Sequence, residues 1–183
     1  MVSQVLFGRR KMIENFKASL AALLHSEGGN DDDPQDHGGR TSRGVTQREY
    51  DAWRVEQHMG RLDVWQAPQE DIEAIYHMEY WNPWCDLIPL GTDYMFFDMC
   101  VNSGPHEAIV LGQRALGVTA DGRVGPLTRQ AIRLADPQSL LSRYTQAKEQ
   151  FYRGLHQPKF IKGWLNRNKE VYGTALVMLK GTK

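Results

Sequence analysis

Proline and glycine divide this 183-residue chain into helix-length pieces. Pro68, Pro105, Pro126, Pro137 and Pro158 each stand where an apolar pattern with helical spacing begins. A helix start tolerates proline because the first-turn N–H groups have no intrahelical partner, and the fixed φ suits the turn. Gly28, Gly104 and Gly117 stand where such patterns stop, the place for a residue free to turn left-handed. Pieces of this kind leave little room for long strands.

Ile13, Phe16, Leu20, Leu23 and Leu24 share one face of a helix over residues 12–26. Residues 30–44 are polar and rich in Asp and Gly, the composition of a loop with a short hairpin. Thr46-Gln47-Arg48-Glu49 is a capping box that opens a helix with Tyr50 and Trp53 on its apolar side. Pro68 opens the next, through Ile72, Ile75, Tyr76 and Met78, which Pro83 ends. A further helix is expected over residues 93–102, and another from Pro105 to Gly117. Gly125-Pro126 precedes a short one, Asp136-Pro137 caps a long one, and Pro158 opens the last. The class is therefore mainly α, with one small β-hairpin.

Lys plus Arg and Asp plus Glu each count 22, and no basic run exceeds Arg9-Arg10-Lys11. Nucleic-acid binders usually show a basic face, so that partner is not expected. No apolar run approaches the length of a membrane span, so no membrane insertion is expected. The N-terminus lacks a signal-peptide core, which points to synthesis in the cytoplasm. Cys85 and Cys100, among aromatics, read as buried thiols. Pairing Cys85 with His77 or His106 as nucleophile and base has no local signature behind it. Six histidines form no H-E-x-x-H, and Asp31, Asp32 and Asp33 lack the Gly and Glu of a calcium loop. No metal and no organic cofactor is expected.

The chemistry concentrates in Ser26-Glu27-Gly28-Gly29 and in Asp36, nine residues after the glutamate. Glu27 closes the first helix, where the negative end of the helix dipole and the neighbouring leucines both disfavour its charge. That suits a proton donor loaded near neutral pH. Asp36, in a hydrated loop, stays ionised. Two carboxyls in unlike environments are what glycosidic-bond cleavage uses, with a gap of roughly 6.5–9.5 Å when water attacks directly. Read blandly, Glu27 is a surface residue at a helix end and Asp36 a turn former. Thr41 or Ser42 could hold the attacking water. Thr46 already caps a helix, but as a nearby hydroxyl it joins the candidate substrate-binding residues. Tyr50, Tyr80 and Trp81 join it as aromatics of the kind that line sugar clefts, although most aromatics pack in cores. Asn102 completes that set.

Glu27-Gly28-Gly29, then Asp33-Pro34-Gln35-Asp36-His37-Gly38-Gly39-Arg40-Thr41 through Gly44-Val45-Thr46, resembles the signature of glycoside hydrolase family 108. Phe97-Asp98 through Val101-Asn102-Ser103-Gly104-Pro105 resembles the motif opening that family's C-terminal peptidoglycan-binding region. Leu116-Gly117-Val118-Thr119-Ala120-Asp121-Gly122 and Gly125-Pro126 continue it, and Gly163-Trp164-Leu165-Asn166-Arg167 resembles its closing motif. The resemblance implies a lysozyme-like helical fold with a hairpin beside the cleft. It implies an N-acetylmuramidase that cuts the β-1,4 bond between N-acetylmuramic acid and N-acetylglucosamine in peptidoglycan. Glu27 would be the general acid, and Asp36 would orient or activate water. The expected division is an extension over residues 1–12, a catalytic region over 13–96 and a peptidoglycan-binding-like region over 97–178. The biological setting it suggests is a monomeric phage endolysin, made in the host cytoplasm and released to the wall with a holin's help. A lytic transglycosylase and a non-catalytic wall-binding or virion protein are the alternatives. The family often has an aromatic after E-G-G, where this chain has Asn30. Arg40 and Arg43 could meet peptidoglycan carboxylates or balance local acid.

Overall fold

The computed structural model describes residues 14–25, 30–31, 40–81 and 84–181. The described chain is mainly helical, as the punctuation predicts, and the expected hairpin is joined by a third two-residue strand in one antiparallel sheet. Its contacts divide it into two compact units: Leu20–Glu79, and Met1–Ser19 together with Tyr80–Lys183. Helix α1 (residues 14–25) runs from the second unit into the first and buries Phe16, Leu20 and Leu23, three of the residues its period selects.

In the unit Leu20–Glu79, strands β1 (Asn30–Asp31), β2 (Thr41–Ser42) and β3 (Val45–Thr46) lie in that order. Thr41 pairs with both Asp31 and Thr46, and Ser42 with both Asn30 and Val45. The β2–β3 turn is Arg43-Gly44, with φ of 51° and 80°. Two consecutive left-handed residues are what a two-residue type I′ hairpin needs. Gly44 answers a second demand: the Tyr76 hydroxyl sits where a side chain would begin, donating to the Arg43 carbonyl at 2.9 Å. Thr46 caps α2 (Gln47–Glu56) with the expected box, each partner accepting the other's backbone N–H. Gln47 then ties the following loop to α2, donating to the Leu62 carbonyl and accepting from the Val64 N–H. A 3-10 turn (Val64–Gln66), capped by Asp63, leads to α3 (Gln69–Tyr76).

Past α3 the chain makes a π turn (His77–Trp81), where the sequence predicts only the end of a helix. In the second unit, Trp81 packs edge-on against Phe16 and Phe97, with ring centroids 5.3 Å away in each case. This unit is built on α4 (Thr92–Ser103), whose residues Thr92 to Cys100 are all buried. A helix buried on every side, its acids Asp93 and Asp98 included, belongs inside a bundle. Helices α5 (Pro105–Leu116), α7 (Pro137–Gly154) and α8 (Pro158–Lys180) pack around it, and the short α6 (Pro126–Leu134) flanks α5. Pro105, Pro126, Pro137 and Pro158 all occupy first helical turns, and Gly117 closes α5 left-handed. Pro68 instead stands one place earlier, at the N-cap of α3.

Candidate active site

Glu27 and Asp36 lie outside the described residues. What the structure places is the hairpin that follows Asp36. Strand alternation sends Thr41 and Ser42 to opposite faces of the sheet. Ser42 is 1% exposed, and its Oγ accepts from the Arg43 guanidinium at 3.4 Å; Thr41 is partly exposed. Thr46 sits across from Thr41 in the ladder, its hydroxyl shared with Glu49. Thr41, Ser42 and Thr46 are thus gathered on one hairpin.

Tyr50 sits one helical turn beyond Thr46 but is 0% exposed. Its hydroxyl donates to Asp71 at 2.6 Å and accepts from Arg54 at 2.9 Å. Burial and the Asp71 carboxylate both hold its phenol above its usual pKa, so it stays neutral. Tyr50 is a core anchor with no surface left for a sugar. Trp81 corrects the same expectation: at 1% exposed it fills the aromatic core of the second unit, its indole N–H donating to Asp86 at 2.6 Å. Tyr80 is half-buried in the π turn. Asn102 is exposed at the end of α4, its amide donating to the Asp98 carbonyl at 2.7 Å. Tyr80, Trp81 and Asn102 belong to the second unit and the hairpin to the first.

The two arginines of the hairpin have separate jobs. Arg43 donates to the Ala67 carbonyl and to Gln69, which ties the turn to the start of α3. Arg40 pairs with Asp63 at 2.6 Å and lies 4.5 Å from the centre of the Trp65 ring. Trp65 is the residue that periodicity misses. It is 39% exposed, and its indole N–H donates to the Thr41 carbonyl at 3.2 Å. A large aromatic is therefore held at the surface against the strand that carries Thr41. The available signal was its setting: a tryptophan in a short link between two helices has no helical face to fill. Beside it runs a groove of about 360 Å³ lined by Arg40, Gln47, Arg61, Leu62 and Asp63.

The cysteines give no second centre. Cys85 and Cys100 are both buried, and burial, then the hydrogen bond to Cys100, pushes the Cys85 thiol well above its usual range. A thiol in that state is a poor nucleophile. Among the described residues no group of three or more His, Cys, Asp or Glu side chains is gathered as for a metal. Among them also, no helix is long and apolar enough to cross a membrane.

Residues 20–104 match the family described as glycosyl hydrolase 108, and residues 107–169 match the one described as a predicted peptidoglycan domain. No curated protein matches the chain. Among solved structures, the chain is similar to SagA of Brucella abortus, with a TM-score of 0.74 and 28% identity over 90% of this chain and 95% of that one.

Proposed function

Because residues 20–104 match glycosyl hydrolase family 108 and residues 107–169 match a peptidoglycan domain, we propose that the chain is an N-acetylmuramidase acting on the bacterial wall. Glycoside hydrolysis with peptidoglycan as the ligand follows from the two domains. The bond and the residues are our reading. The observation that carries it is the position of the E-G-G and D-P-x-D motifs inside the matched 20–104 segment.

In this reading Glu27 protonates the leaving glycosidic oxygen as the sugar gains oxocarbenium character. Asp36 stays ionised, faces that charge and steers water to the opposite side. Thr41 is the hydroxyl that assists it, because Ser42 is shut inside the sheet while Thr41 reaches the surface. Trp65, fixed over Thr41 by its indole N–H, offers an apolar ring to a pyranose face. In this reading the wall-binding part lies behind the glycosyl hydrolase match, from about residue 107 onward. An endolysin's life, made in the cytoplasm and released to the wall, is the setting proposed for this activity.

Product analysis by mass spectrometry tests the assignment. Purified peptidoglycan digested by the wild type should yield reducing muramic acid ends. Glu27→Gln should remove nearly all release of soluble fragments while circular dichroism and melting stay unchanged. A folded Glu27→Gln protein that still clears cell walls would sink the role of Glu27. Products lighter by one water, the 1,6-anhydro form, would replace hydrolysis with transglycosylation.

A further inference from the structure

The closing motif Gly163-Trp164-Leu165-Asn166-Arg167 divides its work. Arg167 turns inward, donating to buried Asp98 at 2.9 Å. Trp164, one turn earlier on the same helix, joins a stack of aromatic rings at the corner where α7 meets α8. Its ring lies 5.7 Å from Tyr152 and 5.8 Å from Phe160, at interplanar angles of 28° and 29°. Tyr152 is the buried end of this stack and Phe160, 48% exposed, is the open end. Beside it is a groove of about 300 Å³ lined by Tyr152, Arg153, His156, Gln157, Pro158 and Ile161.

The charge around this corner is one-sided. Lys159 sits with its ammonium 5.2 Å from the centre of the Phe160 ring, and Arg153 lines the groove with only Glu149 as its ion-pair partner among the described residues. From Lys159 along α8 the chain carries Lys162 and Lys169 before its first acid, Glu170, with Arg167 between them paired to Asp98. Half-open rings flanked by cations suit a ligand with apolar ring faces and carboxylates side by side. A glycan strand bearing acidic peptides has both features. A purely apolar partner would leave the cations unused.

We propose that the α7–α8 corner is the surface through which the C-terminal unit holds peptidoglycan: Phe160, backed by Trp164, takes a sugar face, and Arg153 and Lys159 take stem-peptide carboxylates. The proposal rests on peptidoglycan being this protein's ligand, but not on any residue of the cleavage site. The corner concentrates the protein on an insoluble substrate, so losing it weakens attachment to whole walls and spares turnover of short soluble chains.

Co-sedimentation with insoluble sacculi tests this, using the full chain with Glu27→Gln so that the wall persists. In that background Lys159→Glu combined with Phe160→Ser should weaken binding by about tenfold or more, the loss typical when an interface aromatic is removed. Arg153→Glu should weaken it too. All three positions are exposed, so melting should change little. With Glu27 restored, the same variants should cleave a short soluble glycan at the wild-type rate. Undiminished sedimentation in the folded variants would overturn the proposal. Loss of binding to anionic phospholipid vesicles with sacculus binding intact would overturn it in favour of a lipid surface. If the wild type releases no muropeptides yet the variants lose sacculus binding, the hydrolase reading fails and the corner stands.

Discussion

Asp93 is fully buried at the start of α4, where its Oδ1 accepts the N–H groups of Gly91 and Tyr94 at 2.7 Å each. Its Oδ2 accepts from Asn15 of α1 at 3.1 Å. Burial raises its pKa from 3.8 to about 7 against the pull of those donors, and Asp86 adds repulsion. A raised pKa means that the folded protein binds a proton the unfolded chain releases earlier. The associated stability is therefore complete below about pH 3.8 and is lost as the pH climbs through about 7. A shift of this size corresponds to about 4 kcal/mol at most. Asp93→Asn keeps the Oδ1 acceptor, and a half-turn of the Asn15 amide lets it accept from the new Nδ2. The melting temperature of the wild type should fall between pH 5 and pH 8, and Asp93→Asn should flatten that fall. An equally steep fall in the variant would show that Asp93 does not titrate there. This carboxylate is not legible as special in the sequence, and Trp65 only by its place between two helices. Asp93 is acidic in a helix first turn, which is ordinary, and only packing on every side makes its charge costly.

At the scale of elements, the hairpin and the capped helices are nearly all local chemistry. Arg43-Gly44 makes the turn, Thr46 and Glu49 make the cap, and Asp136 caps α7 by accepting the Ser139 N–H at 2.8 Å. Each signal needs only residues within four positions, so a linear reading finds it. What joins the helices is not local. Lys148 of α7 is fully buried and donates to Asp98 of α4 at 2.7 Å, and Arg167 of α8 meets the other oxygen. Asp98 and Arg167 stand in the opening and closing motifs of the C-terminal region, 69 residues apart. Lys148 is in neither motif; its spacing puts it on the face of Tyr144 and Tyr152, but its charge reads as that of a solvated side chain. Lys148→Met removes one cation and leaves the Asp98 carboxylate with Arg167 and the Asn102 amide, both on Oδ1. Urea unfolding should register a loss of about 3 kcal/mol, the usual cost of breaking a buried pair. A loss below about 1 kcal/mol, the value of a surface pair, would mean that Arg167 and Asn102 compensate.

At the scale of the molecule, the second compact unit takes residues from both sides of the first in sequence. Phe16 is the piece from the N-terminal side, packed edge-on to Trp81 at 5.3 Å and Phe97 at 6.1 Å. Phe16→Ala should cost about 3–5 kcal/mol, as for other large core truncations. Near-ultraviolet circular dichroism should show the loss in the aromatic core of that unit; a cost below about 1 kcal/mol would mean that the core collapses around the gap. The sequence by itself determined most of the helices and their caps, the hairpin and the family motifs, because caps, turns and periodicity act within a few residues and motifs stay readable in order. It also named Glu27 and Asp36, which the family match contains without assigning them a role. Only the tertiary structure decided which aromatics are spent on the core, as Tyr50 and Trp81 are, and which stay open, as Trp65 and Phe160 do. It also sorted Ser42 inward and Thr41 outward. The physical reason is that burial belongs to the packed assembly: a side chain's exposure, and with it the cost of its charge and its freedom to meet a ligand, is set by neighbours that are distant in sequence.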